Sequence, residues 1–298
     1  LTKNQRIIVF GAAGSICSVL ARKLAETKPK LLILYDNNET GLFDIYEELK
    51  DKCKTEFVIG DIRDREKVES TFRTYKPDIA YHGAALKHVV LLEKWPLEAY
   101  KTNVLGTINI SDMAQKYGTK KMVFISSDKA VNPTSVMGKT KKKGEEICLK
   151  ANSKTRFIVV RFGNVMASRG SVVEIFKKQI EENKPLTITH KFMERYFTGI
   201  PQAIEKIIEI AKIGKGGDKY TFKMEVIKVI DLAKIMIKLS GKDLRIVFTK
   251  PSKAEKFKEV LYDKKTEKLK ELKNDIIQII PIKNIQRSKD IIIYNHKK

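Results

Sequence analysis

The side chains best suited to chemistry stand together at Ser126-Ser127-Asp128-Lys129. A hydroxyl, a carboxylate and an amine follow directly on the apolar run Met122-Val123-Phe124-Ile125, which reads as a buried strand. The segment continues through Asn132-Pro133 into a helical stretch that carries Met137 and Lys141. A carboxyl group beside an amine can pass protons to and from a bound ligand. Ligands of open α/β sheets lie at the carboxyl ends of parallel strands, which is where this triplet falls. The plainer alternative is a surface charge pair at a strand end.

Such a triplet needs a sheet to hold it. Arg6–Gly11, Leu31–Tyr35, Glu56–Gly60, Ile79–His82, Met122–Ile125 and Phe157–Val160 are short, continuously apolar runs. Helical patterns separate them, one reaching to about Thr27 and another covering about Leu42 to Cys53. Strands buried on both faces read as unbroken apolar runs, and this is the habit of parallel sheets. The rhythm predicts an α/β fold with a doubly wound parallel sheet of the dinucleotide-binding, Rossmann type. After about Arg161 the rhythm changes. Helical stretches near Val172–Glu182, Ile200–Ile213, Val226–Leu239 and Ala254–Lys273 alternate with short strands and loops. We expect residues 1–165 to form an NAD-binding domain. Residues 166–298 should form mainly a smaller α/β substrate-binding portion, with some segments returning to the first domain. The tail after Lys283 is Lys-rich and carries one apolar patch, Ile291-Ile292-Ile293, to which the sequence assigns no role.

The first strand runs into Gly11-Ala12-Ala13-Gly14-Ser15-Ile16-Cys17. A Gly-rich turn between a strand and a helix aims backbone N–H groups and the helix dipole at a pyrophosphate. Gly11 allows the tight turn and Gly14 the close approach, with Ala13, Ser15 and Ile16 completing the cradle. Asp36 ends the second strand, where a carboxylate accepts hydrogen bonds from the adenosine ribose and favours NAD, with NADP as the alternative. Asp61 follows the third strand. A G-x-x-G turn alone is a weak signal, and its place in a βαβ unit near the amino terminus is what strengthens it. Otherwise it is an ordinary turn with a helix-capping Asp. Cys17 stands where a third Gly would let helix and strand pack closely. A thiol is small, but the packing must adjust.

The 298 residues, 42% of them hydrophobic, suit one large or two moderate domains. Cys17, Cys53 and Cys148 form no CxxC pair, which fits a reducing cytosol. The four histidines show no metal-ligand spacing, so no metal is expected. No apolar run approaches the length of a membrane span, and there is no signal-peptide pattern. A start at Leu1 suggests an excised or processed piece. The net charge of +23 raises a polyanion as partner. Its lysines are scattered among intact apolar blocks rather than gathered in an arm, so a solvated Lys-rich surface accounts for them. No RNA- or DNA-binding motif accompanies the charge, and no specific nucleic acid is expected. The same positive field suits an anionic nucleotide substrate.

Longer motifs follow in order. They are Gly83-Ala84-Ala85-Leu86-Lys87-His88-Val89, Glu93-Lys94-Trp95-Pro96-Leu97-Glu98-Ala99 and Thr102-Asn103-Val104-Leu105-Gly106-Thr107. Ser127–Thr134, Arg161–Val165, Ser168–Val172, Arg195-Tyr196-Phe197 and Ile200-Pro201 come after them. From about Gly11 to Lys256 the chain resembles the extended short-chain dehydrogenase/reductases. Among these it is most similar to the UDP-N-acetylglucosamine 4,6-dehydratases of capsule, flagellin-glycan and protein-glycosylation pathways. Val136-Met137-Gly138-Lys139-Thr140-Lys141 resembles the branch attached to membrane-spanning regions, whereas the soluble branch has Tyr at this Met. The resemblance therefore implies a cytoplasmic domain, held at the cytoplasmic face of a membrane in the full-length protein. Without it, Met137 reads as a core methionine filling a gap.

The resemblance implies a UDP-sugar substrate, bound NAD or NADP, and a homo-oligomer. In the implied reaction hydride leaves sugar carbon 4 for the nicotinamide. A proton then leaves carbon 5 while water leaves carbon 6, and the hydride returns at carbon 6. Such an elimination needs an acid and a base. By resemblance Asp128 is the acid and Lys129 the base, Ser127 bonds the carbon-4 hydroxyl, and Lys141 holds the nicotinamide ribose. The Tyr that would accept the carbon-4 hydroxyl proton is here Met137, whose thioether cannot, leaving a water or Lys129 for that part. The resemblance further implies cofactor contacts from Ile62, Ala84, Ala85, Lys87, Asn103, Ser126 and Phe162. It implies substrate contacts from Lys87, His88, Asn164, Arg169, Thr187, Thr189 and Arg195. Ser252 stands where the family carries an Arg that binds the diphosphate, with Lys253 beside it. Epimerases and reductases of the same fold usually want the Tyr and lack Asp-Lys after the Ser. A non-catalytic NAD or nucleotide-sugar binding protein is the reading that Met137, Cys17 and Ser252 favour.

Overall fold

In the computed structural model, residues 3–151 and 154–282 are described. Strands β1 (Arg6–Phe10), β2 (Leu31–Asp36), β3 (Thr55–Ile59), β4 (Ile79–His82), β5 (Lys121–Ser127) and β6 (Arg156–Phe162) fall on the apolar runs. Between them lie helices α1 (Ser15–Ala25), α2 (Glu39–Leu49), α3 (Arg65–Tyr75), α4 (Val89–Lys94), α5 (Pro96–Tyr100), α6 (Gly106–Lys116) and α7 (Val136–Lys150). The second part of the chain adds β7 (Asn164–Val165), α8 (Val172–Glu181), β8 (Leu186–Ile188), β9 (Glu194–Thr198) and α9 (Ile200–Ile213). It continues with β10 (Asp218–Phe222), β11 (Glu225–Lys228), α10 (Val229–Ser240), β12 (Ile246–Phe248), β13 (Glu267–Glu271) and β14 (Ile276–Pro281).

A nine-stranded sheet runs in the order β13-β14-β10-β6-β5-β4-β1-β2-β3. From β3 to β10 every pairing is parallel, while β14 and β13 attach antiparallel. The chain winds outward from β1 in one direction to β3 and in the other through β4 to β6, so β1 and β4 flank the switch point where such sheets bind ligands. One face packs on α1, α2 and α9 through Leu20, Leu24, Leu42, Ile45, Ile204 and Ile207. The other packs on α3, α6 and α7 through Val68, Phe72, Ile110, Met113 and Cys148. Both faces of β1, β2, β4, β5 and β6 are covered, which is why these strands are nearly continuously apolar, whereas β3 at the sheet edge buries only Val58.

After β6 the chain builds two small sheets, β11-β9-β7 and β12-β8. A separate core of Phe176, Leu186, Ile188, Met193, Val229 and Ala233 joins α8, β8 and α10. Strands β10, β14 and β13 return to extend the main sheet.

Two stretches differ from the helical expectation. Glu225–Lys228 is strand, paired antiparallel with β9, and the helix begins at Val229. The charged stretch Ala254–Lys273 forms no helix: residues 254–266 are irregular and Glu267–Glu271 is β13. Its carbonyls have tertiary partners instead of i+4 amides. Thr134 Oγ1 donates to Ala254 O, Arg195 Nη1 to Phe257 O and Arg161 Nη1 to Leu261 O. Such partners override a weak local propensity. The apolar patch Ile291-Ile292-Ile293 and the tail around it lie outside the described residues.

Arg161, on β6, holds that irregular stretch to the sheet. Its guanidinium is buried between Glu145 of α7 and Glu267 of β13, at 2.6 Å and 3.0 Å. Arg161→Met would leave both carboxylates without this cation. Removing one partner of a buried ion pair typically costs about 3–5 kcal/mol. We expect a loss of that size in a guanidinium denaturation curve, and a change under about 1 kcal/mol would show that the network is dispensable.

Candidate active site

The turn after β1 is set by close packing. Gly11 has φ +81°, and a Cβ there would lie 2.7 Å from the Ala84 amide nitrogen, so both conformation and space call for Gly. Gly14 is the N-cap of α1, and no side chain caps that helix. The first-turn N–H groups of a helix have no partner within it, and here Gly14, Ser15 and Ile16 line a cavity. Cys17 packs against Gly83: a Cβ at Gly83 would fall 2.3 Å from its Sγ. The missing third Gly on α1 is thus matched by a glycine after β4. Burial pushes the Cys17 thiol up to about 12, with Asp36 adding to the shift, so it stays a neutral packing group.

Two cavities meet over this turn and share Gly11, Gly14, Gly83, Ala85, Leu86 and Arg169 along their walls. The outer one is lined by Ala13, Tyr35, Asp36, Asp61, Ile62, Arg63 and Ala84. Asp36 accepts from Ala13 N at 2.9 Å and from Asn38 N at 3.0 Å, fixing both turns around it. Asp61 is engaged by Arg63, whose Nη2 lies 2.6 Å away. Burial works against the Asp61 charge, but the Arg63 hydrogen bonds prevail and hold its carboxyl below the ordinary range. An extended two-part cleft with an uncapped helix N-terminus at its waist fits a dinucleotide, with pyrophosphate at Gly11–Ile16 and a ribose at Asp36.

The inner cavity has a volume of about 530 Å³. Ser126, Ser127, Lys129, Met137, Lys141, Phe162 and Asn164 line it from one side, with Lys87, His88 and Arg169 across from them. Asp128 is 0% exposed and does not line the cavity. Its Oδ1 accepts from Ser127 Oγ at 2.8 Å and from Lys129 Nζ at 3.0 Å. Its Oδ2 is buried with no hydrogen-bond partner among the described residues. Lys129 Nζ also donates to Asn164 Oδ1 at 3.1 Å. The carboxylate therefore meets the cavity through the hydroxyl and amine that flank it.

Helix α7 supplies Met137 and Lys141. Ser135 caps it by accepting from Gly138 N at 3.0 Å. A Cβ at Gly138 would lie 2.3 Å from the Lys129 carbonyl, so α7 seats directly on the turn after β5. Met137 is buried against Leu92 and Ala99 while still touching the cavity. Lys141 Nζ donates to Ile125 O at 2.8 Å and lies 4.7 Å from the Phe124 ring centre. Burial brings its ammonium down to about 8, opposed by the Glu145 carboxylate. Ser126 donates to Glu145 Oε1 at 2.6 Å, which links the site to the Arg161 network.

The remaining candidates divide. Lys87 Nζ donates to Arg169 O at 2.7 Å, and burial holds its ammonium below the ordinary value despite Glu174. Arg169 Nη2 reaches Ala13 O at 2.8 Å and its amide donates to Ser15 Oγ at 3.0 Å, strapping this loop over the phosphate turn. Asn103 lines neither cavity: its side chain pairs with both backbone groups of Leu86, at 2.8 and 3.0 Å, and so holds the cavity wall. Thr187, Thr189 and Arg195 also lie off the cavity walls. Thr187 bonds Gln179, Thr189 bonds Glu255, and Arg195 turns to Glu255, Met193 and Phe257 O. Sequence reasoning missed Arg63, for which the spacing from Asp61 was a usable signal. It also missed Lys256 and Glu259, which lie in the stretch expected to be helical; Glu259 Oε1 is 3.9 Å from Lys129 Nζ.

This fold and this constellation define an extended short-chain dehydrogenase/reductase. The chain belongs to the polysaccharide biosynthesis protein family, whose model matches residues 7–281. It is 43% identical over 272 residues to the probable polysaccharide biosynthesis protein EpsC of Bacillus subtilis (strain 168), across 88% of this chain and 46% of that protein. The chain thus spans about half the length of this relative and of the capsular protein CapD of Staphylococcus aureus. It is 35% identical to the UDP-N-acetylglucosamine 4,6-dehydratase (inverting) of Campylobacter jejuni, over 77% of this chain and 70% of that one. The X-ray structure of Pen from Bacillus thuringiensis superposes with a TM-score of 0.88 at 35% identity, covering 94% of this chain and 90% of that chain. No helix among the described residues is long and apolar enough to cross a membrane.

The buried Lys141 has a testable signature. The unfolded chain keeps a lysine proton to about 10.5, whereas the folded protein releases this one near 8. Between those values the unfolded state binds more protons, so the Lys141 contribution makes stability rise with pH. The full span is worth on the order of 3 kcal/mol. Denaturation curves at neutral pH and near pH 10 should show this rise in the wild type relative to Lys141→Met. Parallel pH profiles in the two proteins would contradict it.

Proposed function

We propose that the chain is the catalytic part of an NAD-dependent UDP-N-acetylhexosamine 4,6-dehydratase, acting on UDP-N-acetylglucosamine in surface-glycan or protein-glycan synthesis. One observation carries the reading. A carboxylate bonded at once to a serine and a lysine stands at the carboxyl end of β5, with Lys141 beside it and the phosphate turn opposite. The Campylobacter relative bearing the dehydratase name supports the choice of substrate.

Bound NAD would accept hydride from sugar carbon 4 and return it at carbon 6. The residues manage the protons. Met137 offers no acceptor, so the carbon-4 hydroxyl proton passes through Ser127 to Asp128. Lys129, as the neutral amine, takes the proton from carbon 5, which the neighbouring ketone has acidified, and becomes an ammonium. Asp128 then protonates the oxygen leaving carbon 6, again through Ser127, and water departs. Lys129 returns a proton to carbon 5. Both groups end as they began, and two protons have left the sugar and two have been returned. Asn164 and Asp128 orient the Lys129 amine, and Lys141 steadies the ribose side of the cavity.

Incubation with UDP-N-acetylglucosamine should give a product lighter by one water in mass spectrometry. Asp128→Asn and Lys129→Met should each lower turnover by roughly a hundred- to ten-thousand-fold while the protein stays folded and keeps its NAD. Near-normal turnover in either variant would remove that residue from the mechanism.

Met137 tests the proton route. If Ser127 and Asp128 carry the hydroxyl proton, only the volume of Met137 matters, and Met137→Leu keeps most of the rate. Wild type, Leu and Tyr variants belong in one assay. Activity confined to Met137→Tyr would make this chain a nucleotide-sugar binding protein on an enzyme scaffold, the reading that a buried methionine at this position favours.

A further inference from the structure

The irregular stretch between β12 and β13 is laid along the catalytic turn. Thr134 Oγ1 donates to Ala254 O at 2.9 Å, and Lys256 Nζ donates to Val131 O at 2.7 Å. Arg161 holds Leu261 O at 3.0 Å. Between these anchors Glu259 is buried, at 8% exposure. Its Oε2 accepts from Lys256 Nζ at 3.2 Å, and its Oε1 lies 3.9 Å from Lys129 Nζ.

An ammonium has three hydrogens to place. Lys129 spends hydrogen bonds on Asp128 and Asn164, both at short range. Glu259 brings a further carboxylate oxygen to 3.9 Å, near enough to attract but too far to bond. Glu259 comes from a part of the chain remote in sequence, and it is shared with a second lysine that is itself tied to the catalytic turn.

We propose that Glu259 is a positioning residue for Lys129. Its carboxylate draws the ammonium that Lys129 becomes on taking the carbon-5 proton toward Asp128 and Asn164, and Lys256 fixes how far Glu259 can follow. Glu259 does not line the cavity and has no contact with substrate in this role. The role deepens the dehydratase reading and rests on it for its catalytic consequence, but the placement of Lys129 can be read without turnover.

The test compares wild type with Glu259→Gln and Glu259→Asp by two measurements. The first is steady-state dehydration of UDP-N-acetylglucosamine. The second is trace acetylation of Lys129 by acetic anhydride, scored by mass spectrometry against the exposed Lys30. Glu259→Gln should lower kcat by about tenfold to a hundredfold with KM, NAD content and melting temperature unchanged, since misplacing a catalytic group by about 1 Å has effects of that order. Acetylation of Lys129 should rise several-fold over wild type, and Glu259→Asp should restore much of both. Wild-type kcat together with wild-type labelling in Glu259→Gln would overturn the proposal. So would a parallel loss of kcat, KM and melting temperature that Asp does not rescue. If Glu259→Gln does not fold, Lys256→Met frees Glu259 for Lys129 alone. Labelling of Lys129 should then fall, and unchanged labelling overturns the role. Labelling that responds to Glu259→Gln in a wild type unable to dehydrate the sugar would leave Glu259 in place and defeat the dehydratase reading.

Discussion

The buried guanidinium of Arg161 is the interaction on which the rest of the site depends. It lies between Glu145 and Glu267 and also holds Leu261 O. Glu145 belongs to the helix that carries Met137 and Lys141, and it accepts from Ser126 at the end of β5. Glu267 opens β13, the last strand of the sheet. One cation thus ties together β6, the helix that follows β5, and the C-terminal stretch that lies over the turn between β5 and that helix. A buried pair gains little over well-packed apolar groups. Here both carboxylates and the Leu261 carbonyl converge on the one guanidinium.

Two lysines show how position divides the labour. Lys141 is buried over the Phe124 ring with its ammonium on the Ile125 carbonyl. Lys129 is partly exposed on the cavity wall with carboxylates around it. The first has little freedom to move and is a fixed group at the cavity wall. The second is held only by side chains and can exchange those contacts for contacts with a ligand. Asp128 stands between a serine and a lysine and touches the cavity only through them.

The loop carrying Arg169 adds a second kind of constraint. Its contacts with Ala13 O and Ser15 Oγ lie over the phosphate turn, and Arg169 lines both cavities. A dinucleotide occupying both would pass beneath it. Cys17 and Gly83 solve a packing problem in the same place, since bulk added to α1 is removed from the loop after β4.

Much of this was legible in the chain itself. Short apolar runs that alternate with amphipathic helical stretches are the habit of parallel strands covered on both faces, so β1 to β6 and their parallel order were expected from pattern. The tight turn at Gly11 and Gly14 and the carboxylate of Asp36 beside it were legible because turn glycines and strand-end carboxylates depend on local sequence. The Ser127-Asp128-Lys129 triplet and Lys141 were visible for the same reason, being close in sequence. What the chain could not tell is whatever depends on distant partners. The stretch Ala254–Lys273 read as helix because its charges and apolar residues fit one. Tertiary acceptors and donors claimed its backbone instead. Thr187, Thr189 and Arg195 lie away from the cavity because side-chain direction is decided by packing around β8 and β9. Asn103 turned inward to pair with the Leu86 backbone. Glu259 carries no local signature at all, and it meets Lys129 only because folding lays the stretch between β12 and β13 along the catalytic turn. Local physics writes strands, turns and caps into neighbouring residues, whereas a long-range contact exists only once the sheet has closed.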